Sequence, residues 1–154
     1  MKAAFYKGTR PGIAGIYNIL TRWWTKSKYS HVELVTSEGG AWSSSFEDGG
    51  VRYKPIDFDP AHWDLVDLPS ELEAAAVAWF EAHRGAGYDL LGNLQFVISP
   101  VPHTQGRWFC SEAVAAALGI PDPWRYAPGT LASALTLLQQ PAPAGFFTAI
   151  ERPQ

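Results

Sequence analysis

Apolar and polar positions along this 154-residue chain alternate between two periods. A short apolar run, Lys2 to Tyr6, predicts a strand. Behind Pro11, which suits the first turn of a helix, Ile13, Ile16, Leu20 and Trp23 recur at helical spacing, so Gly12 to Lys26 is predicted as an amphipathic helix. Strand-like runs follow at Tyr29 to Thr36, Ala41 to Phe46, Val51 to Ile56 and Trp63 to Leu68. Glu38-Gly39-Gly40 and Glu47-Asp48-Gly49-Gly50 separate the first three as turns. Ser70 and Glu73 then form a capping-box pattern for a helix over Glu71 to Arg84, with Gly85 and Gly87 as stops. Tyr88 to Ile98 reads as a second helix or part of one, Ser99 to Gly106 as a loop, and Ser111 to Leu118 as a helix stopped by Gly119. Pro121 to Tyr126 is a turn region, Gly129 to Gln139 a last helix and Gly145 to Ile150 a final strand. Strands and helices in separate blocks predict an α+β fold, an antiparallel sheet packed on helices. With no internal repeat, the length predicts one domain over residues 1–154.

Composition narrows the function classes. Hydrophobic residues make up 47% and charged residues 18%, a globular balance. A net charge of −3 carries no electrostatic footprint for nucleic acid. No apolar run approaches the ~20 residues of a membrane span. The start of the chain has no apolar h-region, and there is one cysteine; both suit a cytoplasmic, reducing location. Seven tryptophans are expected mainly in the core. Trp23 and Trp24 could touch a lipid surface or an acyl chain, but core and rim packing is the preferred reading. His62, His83 and His103 show no metal-ligand spacing, and Asp57, Asp59 and Asp64 read as turn residues. No glycine-rich segment matches a phosphate cradle, so no metal or cofactor is expected.

Two residues carry candidate chemistry. Cys110 lies just ahead of a helical stretch, where unpaired N–H groups and the positive end of the helix dipole favour a thiolate. Glu112 in the first turn suits the same dipole. The competing reading is an inert core cysteine. His31 opens the run His31-Val32-Glu33-Leu34-Val35, whose alternation sets His31, Glu33 and Val35 on one face and Val32 and Leu34 on the other. A face bearing His and Glu is expected to be the solvated one. A Cys–His pair requires only adjacency in space.

Four segments together bear a resemblance: Tyr29-Ser30-His31-Val32-Glu33-Leu34-Val35, Asp48-Gly49-Gly50-Val51-Arg52, Tyr88-Asp89-Leu90-Leu91-Gly92 and Phe109-Cys110-Ser111-Glu112. In this order they resemble the circularly permuted papain-like, NlpC-type cysteine hydrolases, which include YiiX-like bacterial proteins and, more distantly, lecithin:retinol acyltransferase. Tyr126-Ala127-Pro128-Gly129-Thr130-Leu131 resembles the way such chains enter their last helix. The resemblance implies a permuted papain-like fold, a bacterial or phage-encoded protein and a cysteine hydrolase acting on a peptide or acyl-amide. A lipid or thioester acyl hydrolase or acyltransferase and a non-catalytic module of the same fold are the alternatives. It also implies roles: Cys110 as nucleophile, His31 as general base, the Cys110 N–H as an oxyanion donor, and Tyr88 near the oxyanion. The family sets a polar orienting residue on the strand after the histidine, which falls on Ser43 here. Glu33, ~7 Å along the same strand face, is the rival. Ser43 is the preferred orienter, and its lack of charge keeps the non-catalytic alternative open.

Overall fold

A computed structural model of the chain describes residues 1–90 and 106–139. The strands are β1 (Lys2–Tyr6), β2 (His31–Val35), β3 (Gly40–Ser45), β4 (Gly50–Pro55), β5 (Trp63–Asp67), β6 (Gly87–Tyr88) and β7 (Arg107–Trp108). The α-helices are α1 (Gly12–Thr25), α2 (Glu73–Ala82), α3 (Cys110–Ala117) and α4 (Pro128–Leu138), with 3-10 turns at Ser70–Leu72 and Pro123–Arg125. The class is α+β.

The seven strands form one sheet in the order β5-β1-β2-β3-β4-β6-β7. It is mixed, not antiparallel as expected. β6 and β7 run parallel, Gly87 beside Arg107 and Tyr88 beside Trp108, while the other pairs are antiparallel. A parallel pair needs a long crossover, and the segment between these two strands has the length for one. β6 takes the place of the expected start of a helix at Tyr88. The rest of that prediction (91–98), most of the predicted loop (99–105) and the predicted strand Gly145 to Ile150 lie outside the described residues.

Both faces of the central strands are covered. Ala3, Phe5, Val32, Leu34 and Trp42 meet Ala76 and Phe80 of α2, Val114 of α3 and Leu131 and Leu135 of α4. Trp42 stacks on Phe80 with centroids 5.5 Å apart. Ala4, Tyr6 and Trp63, with Phe58 against them, cover the opposite face. α3 lies across β2 and β3, which brings its first residue toward the start of β2.

Two local expectations fail for identifiable reasons. The Ser70–Glu73 capping box does not close, and the helix begins at Glu73. The Glu73 carboxylate instead accepts from the Ser37 N–H (2.7 Å) and hydroxyl (2.8 Å) and lies 3.7 Å from the terminal ammonium. The second failure is α1, which forms as predicted but does not bury its apolar stripe. Trp23 is 71% exposed and Trp24 43%, so neither is a core residue. The inward side of α1 holds Gly15 and Asn18. Asn18 accepts from the Arg10 N–H, and Arg22 donates to Lys7 O (2.8 Å), Gly8 O and the Thr9 hydroxyl (2.6 Å). Carbonyls in the Lys7–Arg10 loop require donors, and α1 turns its polar side inward to supply them.

Candidate active site

Cys110 is the first residue of α3, following an extended Phe109 (φ −95°, ψ 169°). The positive end of the α3 dipole is therefore at the thiol. The approach to it is tied down: Ser44 Oγ donates to Trp108 O (2.6 Å), and the Asp89 N–H donates to the same oxygen (3.2 Å). Cys110 is buried, and the side chain it acts on electrostatically is His31.

The imidazole of His31 is gripped from its other side by Glu33, with Nε2 2.7 Å from Glu33 Oε1. Nδ1 is thereby the nitrogen left for Cys110. Glu33 is itself fully buried. Arg52 on β4 explains how that is tolerated: its guanidinium donates from Nη1 to Glu33 Oε2 (2.6 Å) and from Nη2 to Oε1 (2.5 Å). Its Nε donates to Asp48 Oδ2 (2.8 Å), and Lys54 donates to the same carboxylate. A charged chain therefore runs from His31 through Glu33 and Arg52 to Asp48. Buried charges persist only when paired and hydrogen-bonded, and each member here is.

The electrostatics follow from that chain. Burial by itself would lower the pKa of His31, but its electrostatic and hydrogen-bonding interactions with Cys110 and with the Glu33 carboxylate outweigh it and raise the value to about 9. Burial likewise pushes Glu33 up, but the Arg52 hydrogen bonds and the charge of His31 prevail and hold it near about 2. Across neutral pH the imidazole is thus held as the cation and Glu33 as the anion.

Three expectations change. The face of β2 that bears His31 and Glu33 is buried, not solvated, because Arg52 and the Tyr6–Trp63 cluster close over it. Ser43 does not hold His31: its hydroxyl donates to Val32 O at 2.7 Å. The β2–β3 ladder runs only through Leu34–Trp42 and Val35–Ala41, so Ser43 serves a carbonyl in the part of β2 beyond that ladder. Glu112 also departs from the simple dipole reading. Burial, aided by the charge of Asp89, raises its pKa to about 8 even though the Phe109 N–H lowers it, so near neutrality it is largely the neutral acid. Its Oε2 accepts from that N–H at 3.3 Å.

A cleft of about 630 Å³ opens onto His31. Its walls include Arg10, Ser30, Phe46, Tyr88 and Leu90. Tyr88 therefore stands in the cleft wall, its ring edge-on to Phe46 at 5.9 Å. Sequence reasoning missed Ser30 and Arg52. Ser30 Oγ is buried with no hydrogen-bond partner among the described residues. Arg52 sat inside a quoted motif, yet nothing local shows that it reaches across β3 to β2. Of the other histidines, His62 is 3.3 Å from Asp59, His83 stacks on Trp79 at 4.0 Å, and His103 lies outside the described residues. No protein-family model matches the chain, and no curated protein matches it.

Proposed function

We propose that the chain is a cysteine hydrolase of the permuted papain-like kind, cleaving an amide in a peptide or small acyl-amide. The observation that carries the proposal is the buried imidazole of His31, gripped through Nε2 by Glu33 at 2.7 Å, with Cys110 acting on it from the head of α3. The thiolate attacks the acyl carbonyl to form a C–S bond, and the first-turn N–H groups of α3 receive the oxyanion. Nδ1–H of His31 protonates the leaving nitrogen as the C–N bond breaks. Water then adds to the acyl carbon while the now neutral imidazole takes its proton, and departure of the sulfur restores the thiolate–imidazolium pair. Glu33 orients the ring and stabilises its cation. A charged orienter supports turnover where a serine would have supported it less.

A second reading, a thioester or lipid acyl hydrolase or acyltransferase on the same dyad, draws on the apolar side chains in the cleft wall, Phe46, Tyr88 and Leu90. The test reads the one cysteine directly. Incubation with activated acyl esters and anilides should give a single acyl adduct by intact mass, absent from Cys110→Ser. Iodoacetamide labelling at pH 6 should slow by roughly tenfold in His31→Ala, equivalent to about 1.4 kcal/mol of lost thiolate stabilisation. No adduct with either substrate, together with labelling indifferent to His31, would overturn the hydrolase reading and leave a binding module.

A further inference from the structure

α1 is amphipathic in the inverted sense: its polar side faces the protein and its apolar side faces away. Ile16, Ile19, Leu20 and Trp23 are each more than half exposed, and Trp24 is 43% exposed. At 100° per residue these five positions share one side of the helix, opposite the buried Asn18. Monomeric proteins rarely present so contiguous an apolar stripe without a partner for it. Trp23 and Trp24 lie against each other at 5.9 Å near the C-terminal end, where amphipathic rings suit a polar–apolar boundary.

The charge beside the stripe identifies the partner's chemistry. Residues 1–32 hold six of the chain's twelve basic residues and none of its fifteen acidic ones. Lys7, Arg10, Arg22, Lys26 and Lys28 lie on or next to α1. Two carboxylates answer them: Asp64 binds Lys7 (2.5 Å) and Lys28 (2.8 Å), and Glu47 binds Arg10. Asp59 also interacts with Lys7, and five cations against three anions still leave the α1 end positive on a protein that is negative overall. An exposed apolar helix face rimmed by Lys and Arg, with tryptophan among its anchors, is the composition of a helix lying in a bilayer interface. No helix among the described residues is long and apolar enough to cross a membrane.

We infer that α1 seats the protein on the surface of an anionic lipid bilayer, with Ile16, Ile19, Leu20, Trp23 and Trp24 entering the interface and Lys26 and Lys28 meeting lipid phosphates. The inference stands apart from the hydrolase proposal, since it does not involve Cys110. It has a consequence for that site, because Pro11 and Asn18 also line the His31 cleft, which would then open beside the lipid.

Co-sedimentation of the full chain with vesicles tests it. Vesicles of phosphatidylcholine with about 30 mol% phosphatidylglycerol should bind roughly tenfold more tightly than phosphatidylcholine alone, and salt should weaken that binding. Trp23→Ser with Trp24→Ser should lower binding to the anionic vesicles about tenfold. Lys26→Glu should weaken binding to the anionic vesicles and leave phosphatidylcholine unchanged. These side chains are exposed, so circular dichroism should be preserved; the Lys26 variant carries the test if the double variant misfolds. Absence of binding, or binding indifferent to these substitutions in folded protein, would overturn the inference. A solution dimer that Trp23→Ser dissociates would also overturn it, because a second copy would then cover the stripe. All three readouts are independent of catalysis, so loss of activity does not bear on them.

Discussion

At the residue scale, the orientation of His31 turns on one carboxylate. Glu33 and Ser43 stand on neighbouring strands, and both could be imagined turning toward the imidazole. Only Glu33 touches it, while the Ser43 hydroxyl is spent on Val32 O. The two substitutions should therefore separate. Glu33→Gln removes a charge-assisted hydrogen bond of about 1.5–3 kcal/mol, which corresponds to roughly 10- to 150-fold in kcat/KM. It should also bring the His31 titration, followed by the ring proton resonances, down from about 9 toward the ordinary histidine value. Ser43→Ala should cost about 1 kcal/mol of stability with kcat/KM nearly kept. Equal losses of activity in the two variants would remove Glu33 from the orienting role.

At the element scale, β2 and α3 carry two acids with opposite behaviour. Glu33 on β2 is held ionised against His31, whereas Glu112, in the first turn of α3, is held protonated with its pKa raised to about 8. The sign of the linkage follows. Between the ordinary carboxylate range and about pH 8 the folded state keeps a proton on Glu112 that the unfolded state releases, so its contribution makes stability fall as pH rises through that window. Glu112→Gln preserves an acceptor for the Phe109 N–H and has no proton to lose. It should flatten that decline and match or exceed the parent's stability at pH 8, as read by urea midpoints at pH 5 and pH 8. A variant less stable at pH 8 than at pH 5 by the parent's margin would show that Glu112 is not the group responsible.

At the scale of the whole molecule, the site is braced across the sheet. Arg52 on β4 reaches Glu33 on β2 over the intervening β3, and Asp48 anchors it from the turn before its own strand. Removing it leaves a fully buried carboxylate that has lost both guanidinium hydrogen bonds and keeps only His31 as a cationic partner. Arg52→Met should cost about 3–5 kcal/mol at neutral pH. The cost should shrink as the pH falls toward 4, where the carboxyl can take up a proton in place of the lost partner. In the parent protein Glu33 contributes stability that is present above the ordinary glutamate range and lost as pH falls from about 4.5 toward about 2. Thermal unfolding of parent and variant between pH 3 and pH 7 checks both slopes; parallel curves would mean that Glu33 is not the group Arg52 sustains.

The sequence alone determined much of the local order. Periodicity marked β1 to β5, α1, α3 and α4 to within a few residues, and it put Cys110 at the head of α3, because hydrophobic period, Pro and Gly placement act over a few neighbouring residues. It was the resemblance, not the periodicity, that named His31 and Cys110 as a pair. What the tertiary structure decided was every question of partnership. Alternation divided β2 into two faces, but only the covering layers of Arg52, Tyr6 and Trp63 made the His31–Glu33 face an interior one. The periodic stripe of α1 was legible, yet its direction was set by carbonyls of the Lys7–Arg10 loop that needed Asn18 and Arg22. The choice of Glu33 over Ser43 depended on where the β2–β3 ladder stops, and the protonation of Glu112 on how deeply α3 is packed. Local pattern reports which way a side chain alternates; burial and charge pairing belong to residues far apart in the chain, and only the folded arrangement sets them beside one another.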